Sequence, residues 1–366
     1  MTKEELQRYA RHFVLPDFGR EGQERLREAR VLVVGAGGLG SPLLLYLAAA
    51  GLGHIGIIDD DVVDLSNLQR QVLYTSQDIG KPKAVVAKQR IKALNPHIEV
   101  QVYKKRLTID NVMELIQPYD IVADGTDNFP TRYLVNDACV LAGKVNVYAS
   151  IFRFEGQVAV FNLPQADGQR GVNYRDLFPE PPDPEAVPNC AEGGVLGVLP
   201  GIVGSLQANE VIKVATGIGE PLAGRLFMID TLSFETRTLK IPRNPNLKIE
   251  SLEALADYCA IPTPGGLSLS AKDYAEWRKQ GVEHFLLDVR EPHEYAVHHM
   301  DGQLIPLGEL AQKITQIPTD KKIVVHCKSG GRSANAIRQL EGLGNFTALY
   351  NLEGGILAWE KLEHYD

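Results

Sequence analysis

The chain has 366 residues, and 38 Lys and Arg against 46 Asp and Glu leave a net charge of −8. That length points to two or three domains, and hydrophobic and charged fractions of 44 % and 23 % exclude disordered, collagenous and coiled-coil classes. The apolar stretch over 42–52 is shorter than the ~20 residues of a membrane span, the polar, mixed-charge N-terminus reads as neither signal nor transit peptide, and no Lys/Arg tract offers nucleic acid a main binding surface.

From residue 30 the pattern alternates. A strand over 31–34, a glycine turn over 35–40, a helix over 41–50 and a strand over 55–59 come first. A helix over 83–94, a strand over 99–103, a helix over 109–117, a strand over 121–124, a helix over 132–142 and a strand over 145–149 follow. Strands alternating with helices of this length imply an α/β fold with a doubly wound, Rossmann-like parallel sheet. Residues 153–161 alternate as an antiparallel strand, and a long, proline-bearing crossover loop runs over 163–194. A loop of that length inside a domain is usually functional. A helix over 195–216 and a strand pair over 225–241 close the region. Asn244-Pro-Asn and Pro262-Thr-Pro-Gly-Gly266 bracket a linker with one short helix over 252–259. A fresh α/β pattern then begins, with strands over 285–288 and 322–326 and a helix over 333–343. The domain reading is 1–243, a linker over 244–266, and a small α/β domain over 267–366.

Cys139, Cys190, Cys259 and Cys327 lie too far apart for any C-x-x-C pair, so reduced thiols in a cytoplasmic protein are expected. A functional cysteine here acts singly, as a nucleophile or sulfur carrier. Cys139 and Cys259 have no motif around them and read as packing residues. Cys190 ends the proline-rich loop before a helix start, a setting that lowers a thiol pKa.

Gly35-x-Gly37-x-x-Gly40, after a strand and before a helix, sets backbone amides and a helix N-terminus for a phosphate. Asp59 at the end of the next strand is placed for a ribose hydroxyl. On these features alone an NAD-dependent oxidoreductase is open, because the fingerprint identifies a geometry rather than a ligand. Asp59-Asp-Asp61, Ser66-Asn-Leu-Gln-Arg-Gln71, Gly80-Lys-Pro-Lys83 and Gly125-Thr-Asp-Asn128 add amides, a guanidinium, an ammonium and carboxylates able to hold magnesium. A triphosphate needs that mixture and a nicotinamide does not.

With Arg8-Tyr-Ala-Arg11 and Asn189-Cys190-Ala-Glu-Gly-Gly194, these motifs make residues 1–243 resemble the adenylyltransferases that activate ubiquitin-like sulfur carrier proteins in molybdopterin and thiazole synthesis. The resemblance implies that Gly38, Asp59, Ser66, Asn67, Leu68, Gln69, Arg70, Lys83, Asp127 and Asn128 hold ATP, with Mg2+ on Asp127. It implies a homodimer in which Arg11 reaches into the partner subunit's site. The carrier's C-terminal Gly-Gly carboxylate would attack the α-phosphorus, giving an acyl-adenylate and pyrophosphate, and Cys190 would attack the adenylate or take part in sulfur transfer. That family usually carries two C-x-x-C pairs around a structural zinc. Here Asn173-Tyr-Arg-Asp176 and Leu247-Lys-Ile-Glu250 stand in their place, so no zinc is expected and the loop is pinned otherwise or left mobile.

Leu287-Asp-Val-Arg-Glu-Pro-His-Glu-Tyr295, His298-His-Met-Asp-Gly-Gln-Leu-Ile-Pro306 and His326-Cys-Lys-Ser-Gly-Gly-Arg-Ser333 resemble a single-domain rhodanese. Cys327 follows a strand and opens a loop whose amides form an anion nest, and Arg332 adds a fixed positive charge. Cys327 is therefore read as a low-pKa thiolate that carries a terminal sulfur. A phosphatase of similar fold has C-x5-R where this chain has C-x4-R, a smaller nest that suits sulfur.

The expected function is adenylation of a sulfur carrier followed by transfer of a persulfide sulfur from Cys327, which makes a thiocarboxylate for a molybdopterin, thiamine or tRNA-thiolation type pathway. A persulfide donor such as a cysteine desulfurase would load Cys327. Two further readings stay open: a tRNA-modifying, ATP-dependent enzyme of the same fold, against which the charge of −8 weighs, and a non-catalytic nucleotide-binding scaffold.

Overall fold

A computed structural model describes residues 1–181, 194–252, 255, 266–328, 330–344, 346 and 348–363. The chain forms two compact units, Met1–Cys259 and Ala260–Asp366. In the first, β1 (Arg30–Val34), β2 (His54–Ile58), β3 (Glu99–Tyr103), β4 (Ile121–Asp124) and β5 (Val145–Phe152) run parallel. β6 (Glu155–Phe161), β7 (Arg225–Asp230) and β8 (Thr236–Lys240) extend the sheet antiparallel, and the eight strands lie in the order β3-β2-β1-β4-β5-β6-β7-β8. The continuous Val-Leu-Val-Val run of β1 is buried on both faces, as a central parallel strand requires.

Helices cover both faces of the parallel half. The unit contains α1 (Lys3–Arg8), α2 (Ala10–Phe13), α3 (Gly19–Glu28), α4 (Gly40–Ala50), α5 (Lys83–Leu94), α6 (Ile109–Ile116), α7 (Phe129–Ala142), α8 (Tyr174–Leu177) and α9 (Leu199–Thr216). Leu43, Leu44 and Leu47 of α4, with Ile91 of α5 and Val211 of α9, pack on Val31, Val33 and Ile57. Val112 and Ile116 of α6 and Leu134 of α7 pack on Leu32, Val34 and Ile58. Each such side chain contributes about 1.5–3 kcal/mol on full burial. The apolar stretch over 42–52 is thus a core helix, and among the described residues no helix is long and apolar enough to cross a membrane.

Two helix starts differ from the pattern reading by three residues or more. The helix expected over 132–142 begins at Phe129, because Asn128 caps it by accepting the Thr131 amide at 3.0 Å and Pro130 fits a first helical turn. The helix expected over 195–216 begins at Leu199, where Pro200 occupies the same kind of position. Of the linker helix expected over 252–259, only Leu252 and Leu255 are described, and both are buried in the first unit's core.

The crossover loop is anchored by polar contacts. Asn173 caps α8, and Asp176 accepts the Asn173 amide at 2.7 Å with one oxygen and the Asn244 amide at 2.7 Å with the other. Arg175 grips the buried Asp137 of α7 with Nε and Nη2, and Asn136 accepts the Tyr174 amide at 2.7 Å. The segment 173–176, which stands in place of one cysteine pair, is thus joined through a carboxylate to Asn244, three residues before the segment that stands in place of the other. Among the described residues no three His, Cys, Asp or Glu side chains gather as a metal site.

The second unit holds a parallel sheet of β9 (Leu267–Leu269), β10 (His284–Asp288), β11 (Gln303–Leu304), β12 (Lys322–His326) and β13 (Ala348–Leu352), ordered β11-β10-β12-β13-β9. Its helices are α10 (Ala271–Gln280), α11 (Pro292–Val297), α12 (Gly331–Leu343) and α13 (Gly355–Glu363). Ile337 and Leu340 of α12 pack with Leu287, Ile323 and Val325 on one face, and Tyr274, Ile356 and Trp359 with Val324 and Leu352 on the other. At the end of β10, Asp288 and Arg290 form a buried pair at 2.6 Å. The fully buried His326 ring lies 3.5 Å from Asp288, and burial pushes its pKa down to about 4, so the ring is neutral near pH 7.

Two outcomes follow. Asp176→Ala frees both ends of the crossover anchor and lowers the first unit's unfolding free energy by about 1–3 kcal/mol, read by chemical denaturation. His326 takes a proton more readily unfolded, at 6.5, than folded, at about 4, so its contribution is complete above pH 6.5 and drains as the pH falls toward 4. The loss is on the order of 3 kcal/mol, and His326→Gln removes that pH dependence. Trp277 and Trp359, the chain's two tryptophans, both lie in the second unit, so their fluorescence follows it alone.

Candidate functional site

A cavity of about 370 Å³ opens at the C-terminal ends of β1, β2 and β4, where a parallel sheet presents its loops. The glycine turn forms its floor. Gly35 has φ +89°, and a Cβ on Gly40 would sit 2.1 Å from the Gly35 carbonyl oxygen, so only glycine lets α4 start this close to β1. Ser41 donates its hydroxyl to the Gly37 carbonyl at 2.8 Å, and Tyr74 donates to the Ala36 carbonyl at 2.7 Å. These bonds engage turn carbonyls and leave amides for an anion.

Asp59 braces the turn from β2. One carboxylate oxygen accepts the Ala36 amide at 2.8 Å and the other the Asp61 amide at 2.9 Å, while burial pushes its pKa above the ordinary range. Asp61 in turn accepts the ammonium of the buried Lys83 at 2.9 Å. Arg70 donates to the Ser66 carbonyl at 3.1 Å and lines the cavity with Gly38, Asn67 and Asn128. Asp127 lines it too, and its carboxylate makes no hydrogen bond or ion pair with the described residues. An oxygen donor left open beside fixed cations fits a magnesium ion carried in on phosphates.

Three residues expected at the nucleotide lie outside the lining. Ser66 donates its hydroxyl to Asp64 at 2.5 Å, Leu68 packs against the core, and Gln69 closes against Gly197. Arg11 is exposed on α2 and does not reach this cavity. Cys190 and Cys259 lie outside the described residues, and Cys139 is buried in the core, where burial pushes its thiol far up. The sequence reading missed Lys105 and Arg106, which follow β3 and line the cavity, and Arg132, which donates to the Thr126 carbonyl at 3.2 Å. The Lys104-Lys105-Arg106 run at a strand end was the available signal.

In the second unit Cys327 follows β12 with 1 % of its surface exposed. Its Sγ accepts the Gly330 amide at 3.1 Å, and Ser333 lies 3.5 Å away while donating to Asn351 at 2.7 Å. The Cys327 and Lys328 carbonyls are taken by the amides of Ile356 and Leu357 at 2.9 and 3.2 Å, at the start of α13. Gly355 permits that approach, since a Cβ there would lie 2.4 Å from the Cys327 oxygen. Arg332, expected as a positive charge for this loop, instead grips Glu294 with both terminal nitrogens, at 2.6 and 2.8 Å. Burial alone pushes Glu294 up, but the Arg332 hydrogen bonds and the Glu291 amide hold it down to about 2.

Residues 9–250 match the ThiF family and residues 270–362 the rhodanese-like domain. The chain is 48 % identical to the probable adenylyltransferase/sulfurtransferase MoeZ of Mycobacterium tuberculosis, over 99 % of this chain and 94 % of that protein. It is 57 % identical to the sulfur carrier protein adenylyltransferase of Thermus thermophilus, over 68 % of this chain and 92 % of that protein. The crystal structure of Escherichia coli MccB with AMPCPP and MccA shares the fold at a TM-score of 0.57 and 23 % identity, over 68 % of this chain and 74 % of that one. The chain belongs to the ThiF family and carries a rhodanese-like domain after its ThiF region.

Proposed function

We propose that the first unit adenylates the C-terminal carboxylate of a ubiquitin-like sulfur carrier protein ending in Gly-Gly, and that Cys327 supplies the sulfur that converts the adenylate to a thiocarboxylate. The observation that carries the first half is the convergence of Gly38, Asp59, Asn67, Arg70, Lys83, Asp127 and Asn128 in one cavity of about 370 Å³. ATP lies with its phosphates on the turn amides and its ribose toward Asp59. Lys83 and Arg70 neutralise phosphate oxygens. Asp127 is the residue that would hold Mg2+, which when bound offsets phosphate charge and orients the α-phosphate.

The carrier carboxylate attacks the α-phosphorus, a P–O bond forms, and pyrophosphate leaves with the electron pair of the bond that breaks. Cys327, loaded with one extra sulfur by a persulfide donor, then attacks the acyl carbon through its terminal sulfur and expels AMP. A thiol then attacks Sγ of the resulting acyl disulfide: a new disulfide forms between that thiol and Cys327, the thiocarboxylate leaves with the electron pair of the broken S–S bond, and an external dithiol reduces the new disulfide before the next cycle. Cys190 is the candidate for that thiol. Arg11, exposed on α2, is read as serving the site of a second copy in a homodimer. The crossover loop is read as held by Asp176 in place of zinc.

ATP–pyrophosphate exchange in the presence of one Gly-Gly-ending carrier is the expected activity. Asp127→Ala lowers it about 100-fold or more, and exchange with no carrier in a panel would favour the scaffold or tRNA-modifying readings. Cys327→Ala abolishes thiocarboxylate formation, read by mass spectrometry of the carrier, and leaves exchange unchanged. Loss of both in that variant would refute the division of labour between the units.

A further inference from the structure

The nucleotide reading above sets the phosphates on amides of the glycine turn, and the inference drawn here rests on that reading. The direction in which those amides point depends on Tyr74, a residue outside the cavity lining. Tyr74 is 5 % exposed and packs in the first unit's core. Its hydroxyl donates to the Ala36 carbonyl at 2.7 Å, and the Lys83 carbonyl at 3.4 Å is a more distant second acceptor. Burial pushes the phenol's pKa up, so the hydroxyl stays a donor at neutral pH and above.

The Ala36 carbonyl and the Gly37 N–H belong to one planar trans peptide and therefore point in opposite directions. Holding the carbonyl on Tyr74, in the core, turns the Gly37 N–H the other way, toward the cavity that Gly37 lines. Asp59 accepts the Ala36 amide at 2.8 Å, so both backbone polar groups of Ala36 are tied. Among the described residues the Gly37 amide has no hydrogen-bond partner. Tyr74 is itself locked from outside. The buried Asp78 accepts the amide and hydroxyl of Thr75 at 3.0 and 2.8 Å, and Arg90 of α5 at 2.7 Å. We propose that Tyr74, locked by Asp78, is a positioning residue that aims the Gly37 amide at the phosphates of ATP. Without the hydroxyl the Ala36 carbonyl loses its buried partner, and the peptide is free to turn its oxygen toward the phosphates, which it repels.

The full chain is titrated with MgATP by calorimetry and with adenosine by saturation-transfer NMR. Tyr74→Phe removes one oxygen atom and keeps the ring. It weakens MgATP binding about tenfold and leaves adenosine binding unchanged, because adenosine has no phosphate for the Gly37 amide to meet. Asp78→Asn loosens the grip on Thr75 and Arg90 and gives the same pattern at smaller size, which carries the test should Tyr74→Phe fold poorly. Equal weakening of both ligands marks a merely structural role and overturns the proposal, as does an unchanged MgATP affinity in the folded variant. A wild-type chain that binds no MgATP instead overturns the reading of the cavity as a nucleotide site.

Discussion

Both units place a backbone loop between the end of a parallel strand and the start of a helix, and both require that the loop's carbonyls be satisfied elsewhere. In the first unit the Ala36 and Gly37 carbonyls are occupied by Tyr74 and Ser41, and the turn is braced by Asp59 at the Ala36 amide. In the second, the Cys327 and Lys328 carbonyls are occupied by the first amides of α13. A loop whose carbonyls are held can offer its amides to an anion without repulsion from its own oxygens. Gly40 and Gly355 make these approaches possible, because a Cβ at either would strike a backbone oxygen of the same loop.

The charges around the loops are handled alike. Lys83 rests on Asp61 and Arg332 on Glu294, so neither cation is left bare in a partly dry site. The pairs differ in setting. Asp61 is mostly exposed, so water can take its place beside Lys83 when phosphates arrive, whereas Glu294 is nearly as shielded as Arg332 and holds it with two bonds. The first pair is suited to exchange for a triphosphate and the second to persist. Lys105 and Arg106 add positive charge at the rim of the nucleotide cavity, which is useful for a ligand as highly charged as ATP.

The crossover segment shows a second solution to a packing demand. A chain that leaves the sheet at β6 and returns at α9 needs an anchor, and here Asp176 ties α8 to Asn244 while Arg175 ties it to the buried Asp137. A carboxylate accepting amides from two chain segments pins the loop through hydrogen bonds to a charged group and needs no cysteine.

Period and punctuation in the sequence determined the alternation of strands and helices, because apolar runs, caps and glycines act over a few residues. The start of α7 escaped that reading because Pro130 looks like a breaker when read locally, whereas the pattern over 195–216 ran the helix through Pro200, which in fact marks the first turn of α9. The glycine turn, Asp59, Lys83 and Asp127 line one cavity as their motifs led one to expect, because a strand end or a helix start fixes where such a residue sits. The packing of the half-buried Leu68 against the core, the diversion of Ser66 to Asp64 and the contribution of Lys105 and Arg106 depend on which way side chains face once the sheet is assembled. The pairing of Arg332 with Glu294 joins positions 38 residues apart, so only the tertiary fold decides it. Sequence alone therefore named the groups able to carry charge and sulfur, and tertiary structure decided which of those charges are cancelled, since cancellation is a matter of distance.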